Sequence, residues 1–176
     1  MNHGPHRIHL LSTGGTMEKV YSEQTGSVVN DESKIDRYLA RLRLPATEVL
    51  VTNLMNKDSL DMTVADRQLV LQAILQRSSP PAPIVISHGT DTMVETGLFL
   101  QPRLPHLTVP IILTGAMTPL GFEGTDGLQN LTESLLAARL LGPGIYVVMH
   151  NEVFPVDHVK KDRDRGRFIS TAPGSL

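Results

Sequence analysis

Three short apolar runs in this chain each end in a glycine that is followed by small or hydroxyl-bearing residues. The first is the stretch IHLLSTGGT at residues 8–16, and the other two end in HGTD at 88–91 and in TGAM at 114–117. A short apolar run bounded by turn residues is typical of a strand that is buried on both faces of a parallel sheet. The glycine after it allows a sharp turn and a close backbone approach, because it has no Cβ atom.

The apolar runs alternate with segments of helical spacing. Strands are predicted at 7–12, 48–54, 83–87, 109–114 and 145–149, and helices at 31–42, between Thr63 and Ser78, at 92–100 and at 128–141. The polar stretch 17–31 is predicted to be mobile, and the weaker pieces 156–161 and 167–170 are predicted to pair near an edge. This alternation predicts an α/β fold: a doubly wound, mostly parallel sheet with helices on both faces, in three layers and a single domain over residues 1–176.

The glycine turns are expected to converge, because the carboxyl ends of neighbouring parallel strands lie at one edge of a sheet. One such turn is weak evidence, since residues 14 and 15 on their own predict only a tight turn. Three turns at corresponding strand ends favour a shared cleft. The alternative is that small residues there merely let the helices pack closely against the sheet.

Composition excludes several classes of protein. The chain has 176 residues and no cysteine, so disulfides, thiolate catalysis and cysteine-based zinc sites are excluded. Sixteen basic and 18 acidic residues give a net charge of −2, which favours neither nucleic acid nor a membrane surface as a partner. Neither a long apolar span nor a signal-peptide pattern is present, so a cytoplasmic location is expected, with a mature secreted form left open.

Several common motifs are missing from the glycine turns. The first turn lacks the G-x-G-x-x-G pattern of dinucleotide binding, and neither a Walker A sequence nor the G-x-S-x-G elbow occurs. His88 and His150 lack the spacing of metal ligands, and single histidines at strand ends are more often structural. No metal site is predicted.

The cleft instead collects threonine hydroxyls, an aspartate, a tyrosine and lysines. A threonine hydroxyl is a poor nucleophile unless a base lies within hydrogen-bond reach. A desolvated lysine can serve as that base, and backbone N–H groups of the glycine turns could stabilise an oxyanion. Acyl transfer by threonine is therefore chemically consistent with the cleft, although the residue types alone do not single it out.

The motifs in these turns resemble those of a known family. The sequences LSTGGT at 11–16 and SHGTDTM at 87–93 closely resemble the two signatures of the bacterial-type L-asparaginases. The loop NKDSLDM at 56–62 is similar to the family's substrate loop. The sequence PIILTGAM at 110–117, with Asp126, Asn130 and Leu131 after it, also matches the family pattern.

The resemblance implies an amidohydrolase that converts L-asparagine to L-aspartate and ammonia, without a metal or an organic cofactor. By motif position, Thr16 would be the nucleophile and Tyr21 its mobile activating partner. A second hydroxyl-centred triad would consist of Thr90, Asp91 and a lysine.

The same resemblance implies a set of substrate contacts. Asp91 would hold the α-amino group of the substrate and Ser59 its α-carboxylate. Ala116 would offer its backbone carbonyl to the leaving amide. Gly15, Gly89 and Thr90 would complete the substrate-binding set.

The lysine of the triad has to be chosen between Lys160 and Lys161. Neighbouring residues on a strand point to opposite faces, so only one of the two can enter the cleft. The family's pattern of an apolar residue, threonine and lysine fits residues 159–161 best, which selects Lys161. The alternative is that both are solvated lysines beside the charged run 162–167.

Two departures from the family pattern carry expectations. Leu60 stands where many relatives have glutamine, so hydrolysis of glutamine is expected to be weak. The smaller C-terminal domain of the family is absent after residue 176, either because the chain is naturally short or because it is a fragment. Its absence would expose apolar surface, so a homo-oligomer, dimer or tetramer, is expected.

Two other functions remain open on the sequence. One is the asparaginase-like subunit of an archaeal-type transamidosome, which would carry an extra N-terminal domain. The other is a non-catalytic module that binds asparagine or aspartate.

Overall fold

The computed structural model of the chain describes residues 5–22, 27–30, 35–77 and 79–173, with the backbone alone for 18–22 and 27–30. The strands are β1 (His6–Gly14), β2 (Lys19–Ser22), β3 (Ser27–Asn30), β4 (Thr47–Lys57), β5 (Ile84–Ser87), β6 (Pro110–Thr114), β7 (Gly144–Met149), β8 (Glu152–Pro155), β9 (Val159–Asp162) and β10 (Arg167–Ser170). The α-helices are α1 (Ile35–Leu39), α2 (Val64–Leu75), α3 (Met93–Leu100) and α4 (Gly127–Leu140). Single 3-10 turns occur at Thr16–Glu18, Ser59–Asp61, Gln101–Arg103 and Val156–His158.

Six strands form one sheet in the order β4-β1-β5-β6-β7-β8. All neighbours are parallel except β8, which runs antiparallel to β7 at the edge. From β1 the chain moves outward to β4 and then returns past β1 to β5, so its winding direction reverses between β1 and β5. The predicted doubly wound sheet is confirmed, and this reversal is where open α/β sheets place their ligands.

Strand side chains alternate between two apolar layers, as the period of two requires. Ile84 and Ile86 of β5 pack into the cluster that includes α2 and α3, whereas Val85 packs into the cluster that includes α1 and α4. All four residues of β5 are buried, which is why its sequence is apolar without alternation. The predicted three layers, helices on both faces of the sheet, are therefore confirmed.

The start of α2 is fixed by a capping box. The Thr63 side chain accepts from the Asp66 N–H, and the Asp66 carboxylate accepts from the Thr63 N–H at 2.8 Å. Lys57, the last residue of β4, donates from Nζ to Asp66 Oδ1 at 2.7 Å. The bond from Lys57, followed by those from Thr63, lowers the pKa of Asp66 to about 2. These contacts tie the end of β4 to the first turn of α2.

Several predicted boundaries are wrong. The polar stretch 17–31, in which no strand was predicted, contains β2 and β3, which pair antiparallel as a separate two-stranded sheet. The strand predicted at 48–54 continues to residue 57. The helix predicted at 31–42 corresponds to α1, which ends at residue 39. Its predicted start at 31–34 lies outside the described residues.

The two weaker pieces do pair with each other, as β9 and β10, but in a sheet of their own rather than at the edge of the main sheet. The strand beside β7 at one edge of the main sheet is β8, which was not predicted from the sequence. It follows a turn in which His150 and Asn151 adopt positive φ angles of 53° and 63°. A turn with positive φ angles is hard to recognise in the sequence when it contains no glycine, because other residues rarely adopt such angles.

The helices of the described part are short. The longest, α4, has 14 residues, and no helix in the residues that the structure describes is long and apolar enough to span a lipid bilayer.

We expect Asp66→Asn to lower the free energy of unfolding by about 1–2 kcal/mol at neutral pH, because it weakens both the cap and the bond to Lys57. Folding holds the pKa of Asp66 below its ordinary 3.8, so the carboxylate stabilises the fold above that pH and loses this effect as the pH falls towards about 2. Urea unfolding should therefore show the difference from wild type shrinking in acid.

The exposed Asp164 provides the control for this measurement. Asp164→Asn should change the free energy of unfolding by less than about 0.5 kcal/mol at either pH. A gap between Asp66→Asn and wild type that stays constant down to pH 3 would contradict the role given to Asp66.

Candidate active site

Three backbone turns meet at the carboxyl ends of β1, β5 and β6. A Cβ atom added to Gly15 would lie 2.5 Å from the Gly89 nitrogen, and one added to Gly115 would collide with the His88 carbonyl oxygen. Gly14 and Gly15 also have φ angles of +92° and +82°, which glycine adopts readily. The predicted convergence of the three turns is confirmed. It depends on glycine at these positions, because a side chain there would collide with the neighbouring turn.

The loop after β4 closes one side of this cleft. The Gly15 N–H donates to the Lys57 carbonyl at 2.9 Å, and Thr92 Oγ1 donates to the Ser59 carbonyl at 2.8 Å. A Cβ atom on Gly89 would lie 2.5 Å from Ser59 Oγ. Ser59 is thus buried against the second glycine turn. Of the N–H groups in the glycine turns, that of Gly15 is committed to the backbone of Lys57.

The structure brings Thr90, Asp91 and Lys161 together. Lys161 Nζ donates to Thr90 Oγ1 at 2.7 Å and to Asp91 Oδ1 at 3.0 Å, across a sequence separation of about 70 residues. The Lys161 side chain is 17% exposed, whereas Lys160 on the opposite face of β9 is exposed to solvent. The geometry therefore separates the two lysines as the alternation of strand side chains predicts.

Arg163 is a site residue that was not predicted from the sequence. Its Nη2 atom lies 3.0 Å from Asp91 Oδ1, the same oxygen that Lys161 contacts. The sequence places it in the charged run 162–167, and its side chain is indeed 65% exposed. Arg163 lies in the turn between β9 and β10, where the alternation of strand side chains no longer applies, so there was no clear signal in the sequence for its position. Asp91 consequently faces two cations.

Thr16 begins the 3-10 turn that follows the two glycines, and it is half-buried. The next residue, Met17, is fully buried, and its sulfur accepts from Ser87 Oγ at 3.5 Å. Met17 therefore anchors the turn that carries Thr16 to the end of β5. Tyr21 lies on β2, and its side chain is outside the part that the structure describes.

The turn that contains Ala116 is held in place by hydrogen bonds to Asp126 and Asn130, at the start of α4. Asp126 accepts from the N–H groups of Met117 and Thr118 at 3.0 and 2.9 Å, and Asn130 Nδ2 donates to the Gly115 carbonyl at 3.0 Å. Burial acts to raise the pKa of Asp126, but the bonds from the Met117 and Thr118 N–H groups, together with those from His150 and from its own backbone, hold the pKa below its ordinary value. These bonds fix the buried Ala116 backbone at the cleft.

Both histidines at strand ends are structural. His150 Nε2 lies 2.8 Å from Asp126 Oδ2. His88 is fully buried, with Nδ1 at 2.8 Å from the Gly89 carbonyl and Nε2 at 2.8 Å from Thr96 Oγ1. Burial lowers the pKa of His88 to about 4, so its ring is neutral near pH 7. Across the described ranges, no three His, Cys, Asp or Glu residues are grouped to hold a metal ion.

The turns together carry two threonines, Thr16 and Thr90, with a lysine and a carboxylate beside the second. Nucleophilic acyl transfer requires a hydroxyl that lies within hydrogen-bond reach of a group that exchanges protons. The carboxylate of Asp91 adds an acceptor suited to a cationic part of a ligand.

The chain is similar to known proteins along most of its length. A family model described as "Asparaginase, N-terminal" matches residues 7–167. The L-asparaginase of Thermococcus kodakarensis is 27% identical over 160 residues, which are 91% of this chain and 49% of that protein. A glutamyl-tRNA(Gln) amidotransferase component from Methanococcus vannielii is 33% identical over 152 residues, 83% of this chain and 34% of that one.

A solved structure of the thermostable T. kodakarensis L-asparaginase superposes with a TM-score of 0.84 and 28% identity, covering 93% of this chain and 51% of that chain. The chain thus spans about half the length of the Thermococcus relative.

We expect Gly15→Ala to lower the free energy of unfolding by at least about 3 kcal/mol, because it combines an unfavourable φ angle with a collision against Gly89. Gly124 is a matched control, since its φ angle is +74° and an added Cβ atom would meet nothing within 4 Å. Gly124→Ala should cost only about 1–2 kcal/mol. Equal costs in urea unfolding would show that the Gly15–Gly89 approach places no constraint on the fold.

Proposed function

The chain belongs to the asparaginase N-terminal family, and from that premise we propose that its cleft hydrolyses the side-chain amide of L-asparagine to L-aspartate and ammonia. The L-asparaginase name of the Thermococcus relative supports this substrate. The observation that carries the proposal is the Lys161 ammonium, which lies within hydrogen-bond distance of both Thr90 and Asp91 at the switch point of the sheet. The reaction as proposed uses no metal or organic cofactor.

In the proposed mechanism, Thr16 is the nucleophile and Tyr21 is its activating partner, as their motif positions suggest. The Thr16 hydroxyl oxygen attacks the amide carbon, and its proton passes through the activating group to the leaving nitrogen. The C–N bond then breaks, ammonia leaves, and the substrate remains as an ester of Thr16. Water hydrolyses that ester, which restores the hydroxyl and releases L-aspartate.

Thr90, Lys161 and Asp91 form the second triad of the proposal. Lys161 is close enough to Thr90 Oγ1 to exchange a proton with it, and Asp91 keeps the lysine side chain in that position. The low exposure of Thr90, 5%, limits competition from bulk water. This geometry supports a role for the triad in moving the protons that attack and hydrolysis require.

In the proposal, charged and polar groups of the cleft bind the oppositely charged groups of the substrate. Asp91 binds the α-ammonium group and Ser59 the α-carboxylate, with Gly15, Gly89 and Thr90 lining the space between them. The carbonyl of Ala116 accepts from the leaving amide. Arg163 adds a second positive charge near Asp91, which suits a ligand that carries a carboxylate on the same carbon as its ammonium group.

We also propose that the chain self-associates. Leu136 and Leu140 on α4 are 55% and 73% exposed, and Val153 on β8 is 46% exposed. Leu136, Leu140 and Val153 line one groove, so these apolar groups form a contiguous surface rather than scattered points. A second copy covering this groove would support the proposal of a dimer or tetramer.

The amidotransferase similarity favours a second candidate function. The 33% identity with the Methanococcus vannielii protein supports an amidase that acts as one component of a larger enzyme. A third candidate is a module that binds asparagine or aspartate without hydrolysing it. Ammonia release by the isolated chain separates the third candidate from the other two, because binding without release would favour the third.

We expect Thr16→Ala to lower kcat for ammonia release from L-asparagine by on the order of 10⁴-fold, because it removes the nucleophile. Lys161→Met should lower kcat by roughly 10²–10⁴-fold, which is the rate enhancement that a proton-transfer group usually contributes. Lys160→Met is the matched control and should stay within about twofold of wild type, because that side chain points away from Thr90.

Each outcome of this series bears on the proposal. Wild-type protein that binds L-asparagine but releases no ammonia would reject the enzyme. Substantial activity in Thr16→Ala would reject Thr16 as the nucleophile. Equal losses in Lys160→Met and Lys161→Met would reject the second triad.

Leu60 provides a prediction about substrate choice. We expect wild type to turn over L-glutamine at least about tenfold less efficiently than L-asparagine, because Leu60 offers no polar contact to the longer side chain. Leu60→Gln should raise the ratio of the two kcat/KM values towards glutamine by roughly tenfold, whereas Leu60→Met, which has similar volume without the amide, should not. Comparable turnover of both amino acids by wild type would contradict this role for Leu60.

A further inference from the structure

Arg67 on α2 is a buried arginine that has no place in the mechanism above. It is 8% exposed, and its guanidinium group binds three different partners. Nε donates to Thr96 Oγ1 at 3.1 Å, Nη1 to the Met62 carbonyl at 3.2 Å and Nη2 to Glu95 Oε2 at 3.1 Å. Burying a guanidinium group is costly unless its donors are satisfied, so these three bonds fix its orientation.

One of these bonds leads to the second glycine turn. Thr96 Oγ1 accepts from Arg67, so the hydroxyl proton is available to donate to His88 Nε2, 2.8 Å away. His88 then carries its proton on Nδ1 and donates to the Gly89 carbonyl at 2.8 Å. All members of this chain of bonds are buried. Arg67 therefore acts, through two side chains, on the backbone that carries Thr90 and Asp91.

The second bond leads to the opposite wall of the cleft. The Met62 carbonyl that accepts from Arg67 belongs to the residue that ends the 3-10 turn beginning at Ser59. The Met62 N–H in turn donates to the Ser59 carbonyl at 3.2 Å, so the turn is closed on itself. Arg67 therefore holds the exit of the turn that carries Ser59.

We propose that Arg67 is a positioning residue that sets the spacing between Ser59 and Asp91, and thereby the recognition of an ammonium and a carboxylate on one carbon atom. The inference rests on the proposed function, which gives those two groups to Asp91 and Ser59. A guanidinium group is suited to the task because its planar fork directs several donors at fixed angles. A displacement of about 1 Å between such groups can lower a rate by on the order of 10².

The first test needs no activity. Amide hydrogen exchange, followed by mass spectrometry, should be roughly tenfold faster at residues 59–62 and 88–91 in Arg67→Met than in wild type, the factor expected when an ordinary hydrogen bond is lost. Arg77→Met is the matched control, because Arg77 is also part-buried and also bonds to neutral acceptors, Ala73 and Thr52. Arg77→Met should leave exchange in both segments unchanged.

The second test is a double-mutant cycle on kcat/KM for L-asparagine. Arg67→Met should lower kcat/KM by roughly tenfold or more, mainly through KM, and Arg67→Lys should recover part of the loss because one donor remains. If Arg67 acts through the Ser59 turn, adding Arg67→Met to Ser59→Ala should change kcat/KM by less than about threefold. Multiplied losses would show that Arg67 acts independently of Ser59 and would overturn the proposal.

The two tests separate this inference from the proposed function. If wild type releases no ammonia, the proposed function fails, and the exchange measurement still decides whether Arg67 holds both turns. If Arg67→Met does not fold, Arg67→Lys takes its place in both experiments. Exchange in the Arg67 variant that matches Arg77→Met at both segments would overturn the inference whatever the activity.

Discussion

The close approach of two backbone turns, Gly15 at the end of β1 and Gly89 at the end of β5, is the constraint on which the rest of the site depends. There is no room for a Cβ atom between them, since one on Gly15 would lie 2.5 Å from the Gly89 nitrogen. A side chain on Gly15 would force apart the turns that carry Thr16 and Thr90 at the reversal of the sheet, and one on Gly89 would collide with Ser59. The two glycines therefore determine how closely these backbone turns approach, although they carry no chemistry themselves.

The cleft is held in shape by side chains that stand behind it. Asp126 binds the turn after β6 through two N–H groups, Thr92 binds the carbonyl of Ser59, and His88 binds the carbonyl of Gly89. Each of these bonds joins a side chain to a backbone group. The loops that line the site are therefore held in fixed positions by hydrogen bonds to their backbone. Among the facing groups, the paired cations Lys161 and Arg163 dominate the charge near Asp91.

Local pattern accounted for most of the fold and for much of the site. Apolar strands ending in glycine predicted the parallel sheet and the meeting of its turns. Strand alternation predicted that only one of Lys160 and Lys161 enters the cleft, and the resemblance to the family's motif selected Lys161. What local pattern could not supply were contacts made only in three dimensions. Arg163 looks like part of a solvated charged run, and Arg67 looks like one more polar residue of a helix. Strand β8 was missed because the turn before it uses His150 and Asn151 in a left-handed conformation instead of glycine.

The order of the strands has a consequence for how the site comes into existence. Lys161 meets Thr90 across 71 residues of sequence, and Thr13 binds the Ser87 carbonyl across 74. Contacts of such high sequence separation form only after long loops have been closed, which makes them slow to nucleate and strongly cooperative. No short segment of the chain carries half of the cleft. We therefore expect the cleft to assemble late and cooperatively, and to persist only as long as the central sheet does.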